Sequence, residues 1–324
     1  MLRADSVRLV RVTLSDGAVA AYTDHDDGAT SGLPIVFLHG LTQQQHYWGP
    51  VLARLPGRRV IAVDQRGHGE ASGPQVTEQS DFSIPRLARD VIEVLDQVGV
   101  PEAVVVGHSW GASVALHAAA VWPERVRAAV LIDGGLFGPR HLVASGRSAQ
   151  DVREALRPPA LGIPESALWE AIAAGDLAAY WSPDIQRALA PTFRVDESGR
   201  AFTRLGMERH MAVLDGLFDY DPTPDITTMT RPTWAVLCEP GAPHPSDGSS
   251  SARAWDASDA TDAPESLTDA WLDARREAIA LLRSPFYLQR WTGADHDVPL
   301  QWPALVAGLV ETVLEHPDNR GETE

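Results

Sequence analysis

Residues 103–121 read Ala-Val-Val-Val-Gly-His-Ser-Trp-Gly-Ala-Ser-Val-Ala-Leu-His-Ala-Ala-Ala-Val. Ala103–Val106 is a continuous apolar run, the composition of a strand covered on both faces. Trp110–Val121 is Ala-rich and uninterrupted, a helix that Pro123 brings to an end. Between them, Gly107-His108-Ser109-Trp110-Gly111 places G-x-S-x-G spacing in a strand–turn–helix setting. A serine lifted on so tight a turn takes a strained backbone. Cβ groups two residues to either side would strike neighbouring main chain, and glycines at 107 and 111 remove them. The helix start also aims free N–H groups at the same spot, which favours developing negative charge. A chance Gly-x-Ser-x-Gly in a loop is the bland alternative. The flanking strand and helix favour Ser109 as a nucleophile.

The same alternation continues outward. Pro34–Leu38, Arg59–Val63 and Ala128–Ile132 are further apolar, β-rich runs. Ile84–Val98 carries Leu87, Val91, Val94 and Val98 at helical spacing. Such alternation implies right-handed crossovers and a parallel sheet. Val7–Leu14 and Ala18–Asp24 alternate around Ser15-Asp16-Gly17, a hairpin signal. From Gly138 to about Pro224 the rhythm breaks. Ser166–Tyr180 and Arg204–Leu217 read as helices separated by prolines, with no strong strand. Strand patterns return at Pro232–Cys238 and Phe286–Trp291, with helices expected at Leu267–Leu282 and Ala304–Glu315. The expected architecture is a mostly parallel, doubly wound, eight-stranded α/β sheet formed by residues 1–137 and 225–316. A helical cap is expected at 138–224, a flexible acidic loop at 239–266 and a frayed tail at 317–324.

Composition narrows the function classes. The chain has 324 residues, 27 Lys plus Arg against 44 Asp plus Glu, and a net charge of −17. An acidic balance argues against nucleic acid or an anionic membrane as the main partner. One cysteine, Cys238, forms no internal disulfide, so an oxidising compartment is not required. The N-terminal residues lack the apolar centre of a signal peptide. These features lead to the expectation of a cytoplasmic protein; its expected partner is a small-molecule substrate, and a monomer or homodimer is expected. No paired cysteines, HExxH or phosphate-cradling loop occurs, so neither metal nor cofactor is expected.

Two further segments bear on chemistry. His39-Gly40-Leu41 follows the strand Pro34–Leu38. Gly40 lets the backbone turn beneath the nucleophile, so the N–H of Leu41 joins that of Trp110 in an oxyanion hole. His39 itself reads better as a packed, hydrogen-bonded histidine than as a catalytic one. Among the other histidines, His108 flanks Ser109 but is expected to point away. His117 lies further down the helix, His210 lies in the cap, and His244 and His316 have no supporting context.

His39-Gly40, Asp64-Gln65-Arg66-Gly67-His68-Gly69, Gly107-His108-Ser109-Trp110-Gly111 and Gly293-Ala294-Asp295-His296-Asp297 occur in that order. With them the sequence resembles the α/β-hydrolase superfamily, in its serine-nucleophile branch with a helical cap after the sixth strand. The resemblance implies the α/β-hydrolase fold and a purely structural turn at 64–69. It also implies that His296, just past the last strand, takes the Ser109 proton and later returns it to the leaving group. The acid departs from the family pattern. The common site is an aspartate a few residues past the seventh strand, and here Gly241 falls there. Asp133, which ends the sixth strand, is favoured, because some family members carry their acid at that strand. Glu239 and Asp247 are the alternatives. All three keep the order Ser, acid, His. A turn-forming role for Asp133, or a site with no strong acid, also fits.

The function expected from these residues is a serine hydrolase that cleaves a carboxylic ester or lactone of a small, partly apolar compound through an acyl-enzyme. Cap aromatics, Trp181 among them, and His39, Tyr47 and Trp48 near the oxyanion loop are candidate pocket residues, although most cap aromatics fit the cap's own core. Relatives that act on epoxides or haloalkanes use aspartate at the elbow, and serine stands there in this chain. Alternatives are amide or C–C hydrolysis, a non-hydrolytic catalyst of natural-product metabolism, or a ligand receptor with little turnover.

Overall fold

The computed structural model describes residues 7–26, 32–72, 76–144, 148–158, 161–239, 276–283 and 285–319. The central sheet contains β1 (Val7–Thr13), β2 (Val19–His25), β3 (Ile35–Leu38), β4 (Val60–Asp64), β5 (Ala103–His108), β6 (Val126–Ile132), β10 (Thr233–Glu239) and β11 (Phe286–Thr292). Its strand order is β1-β2-β4-β3-β5-β6-β10-β11. The hairpin pair β1/β2 and the pair β2/β4 are antiparallel. All other neighbours are parallel. The intervening strands β7 (Ile163–Pro164), β8 (Phe193–Val195) and β9 (Arg200–Thr203) belong elsewhere.

The apolar runs are continuous because helices cover both faces. Val36, Leu38 and Val105 face one core with residues of α2 (Ile84–Gln97) and α3 (Trp110–Val121). Ile35, Phe37, Val104 and Val106 face the other, with residues of α1 (Gly49–Leu52) and α12 (Pro303–Glu315). Alternation along each strand sends neighbours to opposite layers, so both layers demand apolar side chains.

The turn after β4 is a fastening point. Arg66 is 1% exposed, donates to both carboxylate oxygens of Asp90 at 2.6 and 2.8 Å, and pairs with Asp16 at 2.8 Å. It thereby ties the β1–β2 hairpin turn to α2. Asp64 accepts the Gln45 N–H at 2.7 Å and the Glu70 N–H at 2.8 Å.

Residues 139–228 carry α4 (Pro139–Ala144), α5 (Ala149–Ala155), α6 (Glu165–Ala174), α7 (Pro183–Leu189), α8 (Met207–Phe218) and α9 (Thr223–Thr228). They also hold a small antiparallel sheet of order β7-β9-β8, where the sequence promised no strand. These strands are too short for alternation to register. Their turn is written in Asp196, whose carboxylate accepts the N–H groups of Ser198 and Arg200. The expected helix at 166–180 stops at Ala174, before Gly175, and the one at 204–217 begins after Gly206. Residues 276–281 form α10 and Val298–Gln301 forms α11. The proposed loop at 239–266 lies outside the described residues except for Glu239, which ends β10. Of the expected frayed tail, residues 320–324 lie outside the described residues, while 317–319 are ordered. Pro317–Asn319 is a 3-10 turn, and the Asn319 side chain donates to the Val313 carbonyl at 2.8 Å. Among the described residues, no helix is long and apolar enough to cross a membrane.

Candidate active site

Ser109 stands between β5 and α3 at φ 53°, ψ −119°. Only a crowded elbow holds a non-glycine residue there. A Cβ at Gly107 would collide with the Gly111 carbonyl, and one at Gly111 would lie 2.6 Å from the His39 carbonyl oxygen. Gly134, which the sequence reading passed over, has the same function, since a Cβ there would strike the Ser109 carbonyl. The Gly134-Gly135 doublet behind Asp133 was the available signal.

The structure brings Ser109, His296 and Asp133 into one hydrogen-bonded chain. Ser109 Oγ is 3.0 Å from His296 Nε2, and His296 Nδ1 is 2.8 Å from Asp133 Oδ2. The other Asp133 oxygen accepts the Cys238 N–H at 3.0 Å, and the Asp133 N–H bonds the Val236 carbonyl at 2.9 Å. Asp133 is thus fixed against β10 from two directions. Its φ is 45°. Among the described residues, Ser109 and Asp133 are the only non-glycine positions with positive φ. The His296 side chain is 53% exposed, open to a reacting molecule, whereas that of Asp133 is 15% exposed.

Glu239 does not reach this chain. It accepts a hydrogen bond from Arg290 at 2.8 Å across the β10/β11 pair. Glu239 is in register with Thr292, so Arg290 stands two residues back on the same face and its long side chain reaches the carboxylate diagonally. Asp247 lies outside the described residues.

The loop after β3 runs against the elbow. A Cβ on Gly40 would lie 3.3 Å from Ser109 Cβ, so glycine permits this close approach. Trp110 N–H is at the first position of α3, where no helical carbonyl reaches it. Among the described hydrogen bonds, neither that group nor the Leu41 N–H is taken by a protein acceptor. Two buried imidazoles brace the peptides around Leu41. His39 Nδ1 donates to the Gly40 carbonyl at 2.8 Å, while its Nε2 accepts the Gln65 N–H at 3.2 Å. His68 Nε2 bonds the Leu41 carbonyl. Burial holds His39 well below the usual histidine range, and it lowers His68 to about 4. Both therefore act as neutral, fixed donors at neutral pH.

Three of the four candidate pocket residues must be reassigned. His39, Tyr47 and Trp48 are each 0% exposed and offer no surface to a ligand. Their rings support the site from beneath: Trp48 packs on Phe37 at 4.8 Å and Tyr47 stacks on His108 at 5.3 Å. The physical reason is that the 3-10 turn Gln45–Trp48 directs Tyr47 and Trp48 into the sheet layer, while His39 is held by its bonds to the Gly40 carbonyl and the Gln65 N–H. Trp181 is half-buried in the cap, its ring 6.3 Å from that of Trp169. His108 does turn from the nucleophile, and its Nε2 bonds the His296 carbonyl at 2.7 Å. Gln301 steadies the other flank of that loop, accepting the Asp295 N–H at 2.8 Å and donating to the Gly293 carbonyl at 3.0 Å. The cap approaches here too, since Gln301 also donates to the Tyr180 hydroxyl at 3.1 Å. Asp295 and the cap residue Asp176 have carboxyls raised above the usual range, first by burial and then by neighbouring carboxylates.

This strand order, with the strained turn at Ser109 after β5, defines a class. Residues 34–174 match the family model for the α/β hydrolase fold. The chain has the α/β-hydrolase fold. It is 34% identical over 122 residues to a putative 2-succinyl-6-hydroxy-2,4-cyclohexadiene-1-carboxylate synthase of Bacillus subtilis, covering 38% of this chain and 43% of that protein. It is 42% identical over 93 residues to epoxide hydrolase B of Mycobacterium tuberculosis, covering 28% of this chain and 26% of that protein. The matched stretches thus span less than half of these relatives. A solved E-2-(acetamidomethylene)succinate hydrolase superposes with a TM-score of 0.68 at 22% identity, over 94% of this chain and 98% of that one. At such identity the likeness concerns the fold.

Proposed function

We propose that this chain is a serine hydrolase of carboxylic esters or lactones, acting on a small, partly apolar molecule. The observation that carries the reading is the continuous link from Ser109 Oγ through His296 to Asp133, at 3.0 and 2.8 Å. In the proposed reaction Ser109 Oγ attacks the carbonyl carbon and its proton passes to His296 Nε2. The carbonyl oxygen becomes an oxyanion, held by the N–H groups of Leu41 and Trp110. The intermediate collapses, the C–O bond to the leaving group breaks, and His296 returns its proton to that oxygen. Water, deprotonated by His296, then attacks the acyl-enzyme and frees Ser109. Asp133 holds the Nδ1–H tautomer and stabilises the imidazolium. With a lactone, the leaving oxygen stays tethered and the product is a hydroxy acid. The reading also takes the protein as cytoplasmic, monomeric or homodimeric, and in need of no cofactor.

A fluorophosphonate probe tests the reading. Rapid labelling that disappears in Ser109→Ala, with turnover of nitrophenyl esters or lactones, is the expected result. Tight small-molecule binding without labelling would instead mark a receptor. Preference for short charged acyl groups would overturn the apolar substrate assignment.

A further inference from the structure

His108 occupies the variable position before the nucleophile, and the proposed proton transfers do not use it. Its Nε2 lies 2.7 Å from the main-chain carbonyl of His296, across 188 positions of sequence. A bond to a carbonyl requires the hydrogen on Nε2, so Nδ1 carries only a lone pair. That atom has no donor and faces Gly40, where a Cβ would lie 3.2 Å away. Burial lowers His108 to about 4, so the neutral tautomer persists at neutral pH. Tyr47 stacks on the same ring, centroids 5.3 Å apart and planes at 20°. Its hydroxyl donates to Asp297 Oδ1 at 2.9 Å. The Asp297 carbonyl in turn accepts the N–H groups of Leu300 and Gln301, which opens α11. One buried pair therefore grips residue 296 by its main chain and residue 297 by its side chain.

The His296 side chain needs such control because it stands half-exposed on a loop between β11 and α11. A displacement of about 1 Å in a reacting group costs on the order of 10²-fold in rate. We propose that His108 and Tyr47 are positioning residues for His296, setting its imidazole between Ser109 and Asp133 through the backbone of 296 and 297. The catalytic value of this placement rests on the hydrolase reading above; the placement itself does not.

The test uses the full chain and two readouts. The first, without substrate, is the downfield proton of the His296–Asp133 hydrogen bond in the NMR spectrum. The second is ester turnover per active site, titrated with a fluorophosphonate, which removes the effect of misfolded protein. Tyr47→Phe deletes only a hydroxyl and is expected to lower kcat ~10-fold, and His108→Phe ~10²-fold, with KM within about twofold of the parent. Both are expected to broaden or abolish the downfield signal, and His108→Gln, which keeps a donor, to recover part of each loss. Parent-like kcat per titrated site and an unchanged signal in Tyr47→Phe and His108→Phe would overturn the proposal, whatever their melting temperatures. If His108→Phe does not fold, Tyr47→Phe decides. If the parent hydrolyses no ester, the hydrolase reading falls, and the NMR signal alone decides whether the positioning pair stands.

Discussion

Asp133 lies at φ 45°, a region in which asparagine is among the least strained non-glycine residues. Asp133→Asn therefore preserves the shape of the turn and an acceptor for the Cys238 N–H while removing the charge that faces His296. Turnover is expected to fall by about 10⁴-fold, because the imidazolium loses its stabiliser and the tautomer is no longer fixed. Glu239→Gln, which disturbs only a surface pair with Arg290, is expected to stay near the parent. Steady-state kinetics on one ester compares them; equal activity of Asp133→Asn and the parent would show that the acid lies elsewhere. Ser109 was legible because its constraints are local: two glycines, a strand before and a helix after. Asp133 could only be ranked among three carboxylates. What selects it is the placement of β6 beside β10, which brings Cys238 and His296 to it from more than a hundred positions away. Tyr47 and Trp48 were misjudged for a related reason, since an aromatic side chain does not say which way it faces.

Elements are held by equally specific fastenings, and Arg66 is the clearest. It lies 1% exposed between Asp90 of α2 and Asp16 of the β1–β2 turn. Arg86 and Glu93 extend the network along α2. Burial disfavours ionised Asp90, and the guanidiniums of Arg66 and Arg86 offset that cost. Removing Arg66 alone would leave a buried carboxylate without its main partner, so Arg66→Ala is expected to cost roughly 3–5 kcal/mol. Arg66→Met together with Asp90→Leu should cost far less, because no buried carboxylate is stranded: Arg86 keeps Glu93, and Asp16 is partly exposed to water. Urea unfolding of both variants checks this, and equal losses would refute it. At this scale the sheet was readable because parallel strands buried on both faces are spelled as unbroken apolar runs. The cap sheet was not, since strands of two to four residues leave no period to detect.

The molecule as a whole stores several neutral histidines. Burial lowers His68, His108 and His210 to about 4, against 6.5 for a free histidine. Between those values the unfolded chain binds protons that the folded chain refuses, so stability falls as pH drops through this window. Each histidine contributes a loss of about 2 kcal/mol between pH 7 and pH 5. Asp64 and Asp90, raised by burial, work in the opposite sense nearer pH 4. Urea midpoints at pH 7 and pH 5 are expected to differ clearly. His210→Leu should shrink the gap, because the Nε2 of this cap histidine is buried without a partner. Identical midpoints at the two pH values would refute the account. The two positions of left-handed backbone have a different consequence. Each strained turn lowers stability by about 1–3 kcal/mol. Heat selection alone would thus replace both residues with glycine, and the sturdier descendant would lack the hydroxyl and the carboxylate that flank the His296 ring.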